Sequence, residues 1–393
     1  MKSTTTGKSI TVGEKDQTYH DTLRAHLCLA LVEGIGPLIT RRLLDQFESP
    51  AEVLQRAPAE LQAVQGIGPK MAQRIATAQD RIDVEQQLAL AREHDLEILL
   101  PIESKYPPLL REIHDPPVVL FTRGRMHESD LTAVAIVGTR HASRYGLEQA
   151  RRLAASLARM GITVVSGMAR GIDSAVHRSA LEAGGRTVAV LAGGVLNPYP
   201  PENAQLANEI AQQGCVLSEM APTMGPLRGL FPQRNRIISG LSLGTIVVEA
   251  AQRSGALITA RLAMEQGREV FAVPGPIDSR LSQGPHQLLR DGAKLVASID
   301  DVLEELNPLA DRVGQRRTDQ CGNDIGQTMR STAELQLNDV EQRVLQAIEP
   351  TGSLVDEVVA TSGLPVHRVL STISVLEMRH LVHRLGGNRL ARS

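Results

Sequence analysis

The sequence predicts an α/β protein built on a doubly wound, mostly parallel sheet, with a smaller domain on either side. Three observations predict this. Short β-branched or apolar stretches alternate with helical patterns between residues 131 and 298. Gly-Ile-Gly-Pro occurs twice near the N-terminus, and residues 338–393 show three helical patterns followed by a two-stranded hairpin. Strands that alternate with helices are typical of a parallel sheet covered on both faces.

Composition allows two to four globular domains and argues against membrane insertion. The chain has 393 residues, of which 42% are apolar and 22% charged. These values are typical of globular proteins. No apolar run approaches the ~18 residues of a membrane-spanning helix, and the N-terminus lacks an apolar signal core. We therefore expect a cytoplasmic protein that does not contact a membrane.

The N-terminal region is predicted to be all-α. Residues 1–20 are polar and are expected to be a disordered tail, whereas 21–93 show helical periodicity. Within this region Gly34-Ile35-Gly36-Pro37 and Gly66-Ile67-Gly68-Pro69 each stand between two helices. This is the pattern of a paired helix-hairpin-helix (SAM-like) domain, whose helix starts can hold phosphates. A packing domain that does not touch DNA fits the pattern equally well, because Lys70 is the basic residue directly beside the turns.

Residues 94–306 are expected to form an extended Rossmann-like domain. A connector with short strands at 97–100 and 118–121 comes first. The main strands are predicted at 132–137, 162–165, 187–191, 216–217, 245–248, 269–273 and 294–296. In such a sheet the ligand lies at the carboxyl ends of the strands.

The C-terminal region is predicted to be a winged helix. Residues 307–337 form a polar linker, and 338–393 carry the helices and the hairpin. The third helix exposes few groups that could read a DNA groove, so a protein-contact or regulatory module is as good an interpretation as DNA reading.

Three strand-end segments of the central domain combine Arg, Gly and Ser, which suits a phosphate pocket. Residues 131–298 hold 17 Lys and Arg against 11 Asp and Glu, although the formal net charge of the chain is −2. The candidate DNA-binding residues are Gly138, Thr139, Arg140, Ser166, Gly167, Arg170, Gly171, Phe231, Arg234, Asn235, Arg236, Ser239 and Gly240. We expect Arg140 and Arg234 to lie on loops, where their removal would disturb the core little.

The same segments argue against a cofactor, a metal or a catalytic group. The first strand lacks Gly-x-Gly-x-x-Gly and the second is not followed by an acid placed for a ribose, so NAD binding is not expected. Cys28, Cys215 and Cys321 share no metal-ligand spacing. The other polar groups fit ordinary roles: Ser143 and Asp173 as helix caps, and His141, His177 and His286 as surface or capping residues.

Aromatic residues are scarce, at 2% of the chain with no Trp. A single-strand binder with few stacking platforms must depend mainly on phosphate contacts. Phe231 beside Arg234 is the better stacking candidate, although it also suits a buried hinge. Tyr199 could stack on a base or pack against the neighbouring prolines.

The motifs resemble those of the DNA-processing protein A family, also called DprA or Smf. The resemblance rests on Val137-Gly-Thr-Arg140, Ser166-Gly-Met-Ala-Arg-Gly-Ile-Asp173, Tyr199-Pro-Pro-Glu-Asn203, Phe231-Pro-Gln-Arg-Asn-Arg-Ile-Ile-Ser-Gly240, Ser254-Gly-Ala-Leu-Ile-Thr-Ala260 and Gly267-Arg-Glu-Val-Phe-Ala-Val-Pro-Gly-Pro276. By motif position it implies that Arg140, Arg170, Arg234 and Arg236 line the family's basic pocket. Pro201 stands where many members have a lysine.

The resemblance further implies a non-enzymatic homodimer. Such a protein binds and protects incoming single-stranded DNA during natural transformation and helps load the RecA recombinase. By the same analogy residues 285–299, with Leu288, Leu289, Leu295 and Val296, are the candidate for self-association.

Two other functions are compatible with parts of the sequence. Gly244-Thr245 followed by Glu249 is similar to the Gly-Thr-x-x-Glu of nucleotide phosphoribohydrolases, although the spacing is one residue longer. The winged helix is also compatible with a transcription regulator that prefers certain duplex sequences.

Overall fold

The computed structural model describes residues 12–306, 339–349, 352–378, 381–385 and 389–392. The expected linker at 307–337, Cys321, the first residues of the expected tail and the turn of the C-terminal hairpin lie outside these ranges. No helix of the described part is long and apolar enough to cross a membrane.

The described elements alternate as the sequence predicts. The helices are α1 (Val12–Ala30), α2 (Pro37–Phe47), α3 (Pro50–Gln55), α4 (Pro58–Gln62), α5 (Pro69–Ala76), α6 (Ala78–Arg81), α7 (Val84–Glu93), α8 (Pro108–Arg111), α9 (Arg144–Arg159), α10 (Ile172–Glu182), α11 (Ala204–Gln213), α12 (Leu230–Gly240), α13 (Gly255–Glu265), α14 (Gln283–Arg290), α15 (Asp339–Gln346), α16 (Val355–Ser362) and α17 (Val366–Met378). The strands are β1 (Leu96–Leu99), β2 (Leu120–Gly124), β3 (Ala133–Val137), β4 (Thr163–Ser166), β5 (Thr187–Val190), β6 (Cys215–Ser218), β7 (Gly244–Val247), β8 (Glu269–Ala272), β9 (Lys294–Leu295), β10 (Ser353–Leu354), β11 (Val382–Leu385) and β12 (Arg389–Arg392).

The chain divides into two compact units, residues 1–126 with 190–234 and residues 127–189 with 235–393. The first unit contains the predicted helical hairpins. Gly34 and Gly66 have φ of 91° and 94°, a backbone region that favours glycine, and α2 and α5 then begin at Pro37 and Pro69. The helices enclose an apolar core that includes Leu29, Leu43, Leu61 and Ile75. Because α1 begins at Val12, helical structure starts before Asp21, where the sequence predicted it.

The first unit also holds three antiparallel strands in the order β1-β2-β6. Phe121 of β2 faces Ser218 of β6 and Ile98 of β1. The two short strands predicted within the connector are therefore present, as β1 and β2 of this antiparallel sheet. Gly124, with φ of 83°, packs where a Cβ would overlap the carbonyl oxygens of Ala211 and Gly214, so glycine is required at this contact.

The second unit holds the parallel sheet, in the order β5-β4-β3-β7-β8-β9. Strands β3, β4, β5 and β7 are buried along their whole length, as parallel strands covered on both faces are. The strand order reverses between β3 and β7. Ligands of doubly wound sheets bind at such a reversal, beside the carboxyl ends of the strands.

The C-terminal residues of the second unit form the predicted winged helix. Helices α15 to α17 pack with the three-stranded sheet β10-β12-β11 around an apolar cluster that includes Val344, Val358, Val369 and Leu376. The sequence therefore predicted the fold class correctly: helical hairpins, a mostly parallel sheet and a winged helix.

Candidate nucleic-acid interface

The loops after β3 and β4 pack backbone against backbone in the second unit. Gly171 has φ of 76°, and a Cβ there would overlap the carbonyl oxygens of Thr139 and Arg140. A Cβ on Gly138 would overlap the side chain of Ile172, and the Ile172 amide donates to the Thr139 carbonyl over 3.3 Å. The two glycines therefore serve the contact between the loops, and Gly138 leaves no gap for an anion on the side that Ile172 fills.

This contact places two exposed arginines at neighbouring strand ends. Arg140 follows β3 and Arg170 follows β4, both side chains are exposed, and β3 and β4 are adjacent in the sheet. Neighbouring strands lie about 4.8 Å apart, so the two loops offer guanidinium groups to one stretch of a polyanion. A guanidinium can bind a phosphate through two parallel hydrogen bonds.

A buried carboxylate stabilises the loop after β3 from within. Glu249 is 3% exposed; its carboxylate accepts hydrogen bonds from the Ser143 amide (2.9 Å) and the Ser143 hydroxyl (2.5 Å). The same hydroxyl accepts from the Gly146 amide over 3.1 Å, so Ser143 caps α9 as the sequence predicted. A Cβ on Gly146 would overlap the Glu249 carboxylate.

The position of Glu249 limits where an anion can bind at the carboxyl ends of β3 and β7. In dinucleotide-binding folds the pyrophosphate lies at the start of the helix that follows the first strand. Here the carboxylate of Glu249 lies beside the start of α9, at the reversal between β3 and β7. The Glu249 carboxylate would repel a phosphate at that helix start. Phosphates are therefore expected at the exposed Arg140 and Arg170.

Three residues of the β4 loop have roles that differ from those expected. Ser166 is fully buried and its hydroxyl donates to the Ile136 carbonyl over 2.7 Å, which ties β4 to β3. Gly167 is buried as well. Asp173 does not cap α10, whose N-cap is Gly171; its carboxylate accepts from the Ala169 amide over 3.2 Å and holds the loop instead.

The third predicted segment forms a helix, which corrects the expectation of a loop. Residues 230–240 form α12, and Pro232 is tolerated because it lies in the first turn, where the amides have no helical partner. The side chains from Arg234 to Ser239 are buried; Arg234 is 5% exposed and Arg236 4%. Arg234 is therefore not the surface loop residue that the sequence predicted.

Three polar side chains of α12 bond to backbone, each within its own unit. In the first unit an Arg234 Nη1 donates to the Val190 carbonyl. In the second, Asn235 Nδ2 donates to the Gly255 carbonyl over 3.3 Å, and the Ser239 hydroxyl to carbonyls of its own helix. The Arg236 carbonyl accepts from Gln266 Nε2 over 3.1 Å. These contacts fix the ends of β5, α12 and α13.

The two aromatic candidates contact each other in the first unit. The rings of Tyr199 and Phe231 meet edge to face, with centroids 5.9 Å apart. Tyr199 is 39% exposed and Phe231 half-buried. The pair therefore offers some aromatic surface to a base.

The remaining polar candidates show no chemistry of their own. Among the described residues no cluster of three or more His, Cys, Asp and Glu side chains is arranged to hold a metal. His177 is fully buried, not at the surface as expected, and its Nδ1 lies 2.7 Å from the Thr187 hydroxyl. Cys28 and Cys215 are buried free thiols.

Sequence reasoning missed that Glu249 and Ser143 belong together. The signal was available: an acid two residues after a buried strand, and a Ser three residues before a glycine at a helix start. These local patterns mark each residue as unusual, but they do not show that two residues 106 positions apart come into contact.

Comparison with known families matches all three regions. The profile of the DNA recombination-mediator protein A family matches residues 97–307. That of a SAM-like helix-hairpin-helix tandem matches residues 29–78, and that of the DprA winged helix domain residues 329–388.

Similar proteins occur in several bacteria. Protein Smf of Synechocystis is 34% identical over 389 residues, which is 93% of this chain and 98% of that protein. DNA processing protein DprA of Bacillus subtilis is 47% identical over 221 residues, 56% of this chain and 74% of that protein. The X-ray structure of DprA from Streptococcus pneumoniae superposes with a TM-score of 0.62 at 36% identity, covering 72% of this chain and 97% of that one.

Proposed function

The chain belongs to the DNA recombination-mediator protein A family, named DprA or Smf, and on this premise we propose that it is a non-enzymatic single-stranded DNA-binding protein. A role in DNA processing follows from family membership. The specific parts of the proposal are that it binds and protects incoming single strands and helps load RecA during natural transformation.

The pair Arg140 and Arg170 carries the proposal. Both are exposed, and they stand on loops that are joined through Gly138, Ile172 and Gly171. Loops whose backbones are already fixed lose little entropy when their arginines bind phosphates. In the first unit Phe231 and Tyr199 offer some stacking surface of their own. In the second, the buried Ser166 ties β4 to β3.

Glu249 supports a binding role over a catalytic one. If the protein were a phosphoribohydrolase, Glu249 would be its catalytic acid. Both of its carboxylate oxygens, however, accept hydrogen bonds from Ser143. A general acid or nucleophile must reach the substrate. This buried carboxylate holds a loop.

Exposed apolar side chains in the second unit support the proposed homodimer. Of the four residues expected to self-associate, Leu295 is 50% exposed, Leu289 half-buried, and Leu288 and Val296 buried. Met264 and Ile258 of α13 are also exposed. Leu295 lies on β9, which ends the sheet, and such an edge can pair with a second copy. Two further parts of the proposal, that RecA is a partner and that the protein acts in the cytoplasm, rest on the family relationship alone.

The test is a titration of a labelled single strand of about 30 nucleotides, against a duplex of equal length, at several salt concentrations. If three or more phosphates are neutralised, log affinity should fall against log salt with a slope of about −2 or steeper. Arg140→Ala/Arg170→Ala should weaken binding about tenfold or more. Arg151→Ala/Arg159→Ala removes two exposed arginines of α9 behind the loops and is the matched control.

Equal affinity for duplex, or an affinity that ignores salt, would refute single-strand binding through phosphates. Unchanged binding in the Arg140→Ala/Arg170→Ala variant would place the site elsewhere. RecA loading is tested by adding the protein to RecA and a coated single strand; filament growth that does not accelerate contradicts that part.

A further inference from the structure

Three exposed arginines that the sequence did not single out stand at the same edge of the parallel sheet. Arg144 follows the β3 loop, Arg253 lies in the segment between β7 and α13, and Arg280 in the segment between β8 and α14. None of their guanidinium groups makes a hydrogen bond or ion pair with another described residue. They therefore form a charged rim without an internal partner.

Two of these positions are electrostatically unfavourable in the isolated protein. Arg253 precedes Ser254, the N-cap of α13, and Arg280 lies two residues before Ser282, the N-cap of α14. A cation at a helix start opposes the helix dipole. At Arg144, the first residue of α9, the buried Glu249 carboxylate offsets this effect. The placements of Arg253 and Arg280 are explained if an anion binds there.

Acidic side chains offset only part of this charge. Glu249 is buried and accepts from Ser143, so its carboxylate does not reach the rim. Asp278, in the loop after β8, and Glu148, in the second turn of α9, are the exposed acids on these segments. Arg140 adds to the positive side. The edge therefore keeps a net positive charge from the β3 loop to the β8 loop.

An aromatic ring lies within the same edge. Tyr145 is 39% exposed, and its hydroxyl donates to the Pro274 carbonyl over 2.6 Å, which joins the start of α9 to the loop after β8. A Cβ on Gly275 would lie 3.9 Å from the Tyr145 ring. The ring is thus held in place with part of its surface open, as stacking on a base requires.

We propose that the bound single strand does not end at Arg140 and Arg170 but continues along the sheet edge over the loops after β7 and β8. Its phosphates contact Arg144, Arg253 and Arg280, and one of its bases stacks on Tyr145. This extension rests on the proposed function. From β3 to β8 the extension spans two inter-strand steps, about 10 Å, so it adds a few nucleotides to the bound length.

A nucleic-acid strand fits this rim better than an acidic protein surface does. The segments after β3, β7 and β8 each contribute an exposed guanidinium, so positive charge recurs from strand to strand along the edge, as phosphates recur along a backbone. Arginine binds phosphate in a two-pronged geometry. The aromatic ring between the charges matches the alternation of phosphate and base.

The test measures affinity for a ladder of oligothymidylates from about 4 to 20 nucleotides with the full chain and three variants. Arg253→Ala/Arg280→Ala should bind the longer strands about tenfold more weakly and the shortest strands as the wild type does. Its salt dependence should be flatter by about 1.4, since each lost phosphate contact removes about 0.7 from the slope. Tyr145→Leu should lose affinity for oligothymidylate and bind an abasic strand unchanged.

Arg151→Ala/Arg159→Ala is the matched control and should follow the wild type at every length. If Arg253→Ala/Arg280→Ala also follows the wild type, with unchanged salt dependence, the extension is wrong and the rim is free for an acidic protein partner. That result leaves single-strand binding at Arg140 and Arg170 intact. A wild-type chain that binds no oligonucleotide at any length would refute the proposed function itself.

Discussion

At the scale of single residues, the candidate site depends on a buried carboxylate as much as on exposed arginines. Glu249 accepts two hydrogen bonds from Ser143 and touches Gly146, which fixes the segment between Arg140 and α9. A carboxylate beside a helix start is stabilised by the helix dipole. The arginines therefore stand on a loop whose conformation is set before any ligand arrives.

Glu249→Ala should consequently change the protein even if it has no catalytic role. The variant leaves the Ser143 amide without its acceptor and opens a gap beside Gly146, so we expect the free energy of unfolding to fall by about 1–3 kcal/mol. Single-strand affinity should fall with it, because Arg140 loses its support. Ser143→Ala, which removes the helix cap, should cost about 1 kcal/mol. Thermal unfolding measures the loss of stability, and the titration measures the loss of affinity. A Glu249→Ala variant that melts and binds like the wild type would contradict the role of Glu249 in supporting the loop.

Arg234→Ala should lower stability rather than only weaken binding. The side chain is 5% exposed, and its guanidinium donates to the Val190 carbonyl at the end of β5. Removing it leaves a buried acceptor unsatisfied, which typically costs about 1–3 kcal/mol. The exposed Arg140→Ala serves as the contrast and should melt close to the wild type. If Arg234→Ala melts normally but loses DNA affinity, then Arg234 acts as a direct ligand for phosphate.

At the scale of elements, the two helical hairpins are joined by a reciprocal pair of contacts. Arg42 of α2 donates to the Gln65 carbonyl beside the second turn over 2.8 Å, and Arg74 of α5 donates to the Glu33 carbonyl beside the first over 3.1 Å. Residues 33 and 65, like 42 and 74, are equivalent positions of the internal repeat. Each hairpin therefore holds the turn of the other.

Arg42→Ala and Arg74→Ala should each lower the free energy of unfolding of the N-terminal region by about 1 kcal/mol, since each breaks a charge-assisted hydrogen bond to a carbonyl. Arg74→Ala also removes an exposed ion pair with Glu33, which contributes little. Because both contacts hold the same pair of hairpins, the double variant should lose less than the sum of the two. Lys70→Ala removes an exposed charge beside the second turn and should leave stability unchanged. Chemical denaturation of the four proteins checks this, and strictly additive losses would show that the two contacts act independently.

The elements also show where sequence reasoning succeeds and where it fails. Alternating apolar strands and Gly-Ile-Gly-Pro turns depend on local pattern, so they predicted the sheet, the hairpins and the winged helix. The run from Phe231 to Gly240 was expected to be a loop because Pro, Gly and Ser are common in loops. It is a helix because its proline falls in the first turn, and its residues from Arg234 to Gly240 are buried. Contacts such as that of Glu249 with Ser143 depend on tertiary packing, which no local pattern contains.

At the scale of the whole molecule, separate apolar clusters support the proposed division into modules. The N-terminal cluster is drawn from residues 25–84 and the winged-helix cluster from residues 344–390. Two side-chain contacts tie the helical region to the segment before β2: the Tyr19 hydroxyl donates to the Glu103 carboxylate over 2.5 Å, and Arg41 donates to the His114 carbonyl. Burial of the phenol and its hydrogen bond to Glu103 raise the pKa of Tyr19 to about 12. These contacts are at the surface, so water can replace them.

A fragment of residues 94–306 should therefore fold, dimerise and bind a single strand of about 30 nucleotides. It keeps all strands from β1 to β9 and both arginine-bearing loops, and it loses only modules that have apolar clusters of their own. Light scattering measures the mass of the fragment, and the salt-dependent titration measures its affinity. A folded, dimeric fragment without single-strand affinity would contradict the placement of the site in this part of the chain. A monomeric fragment that still binds would show instead that the flanking modules hold the dimer together.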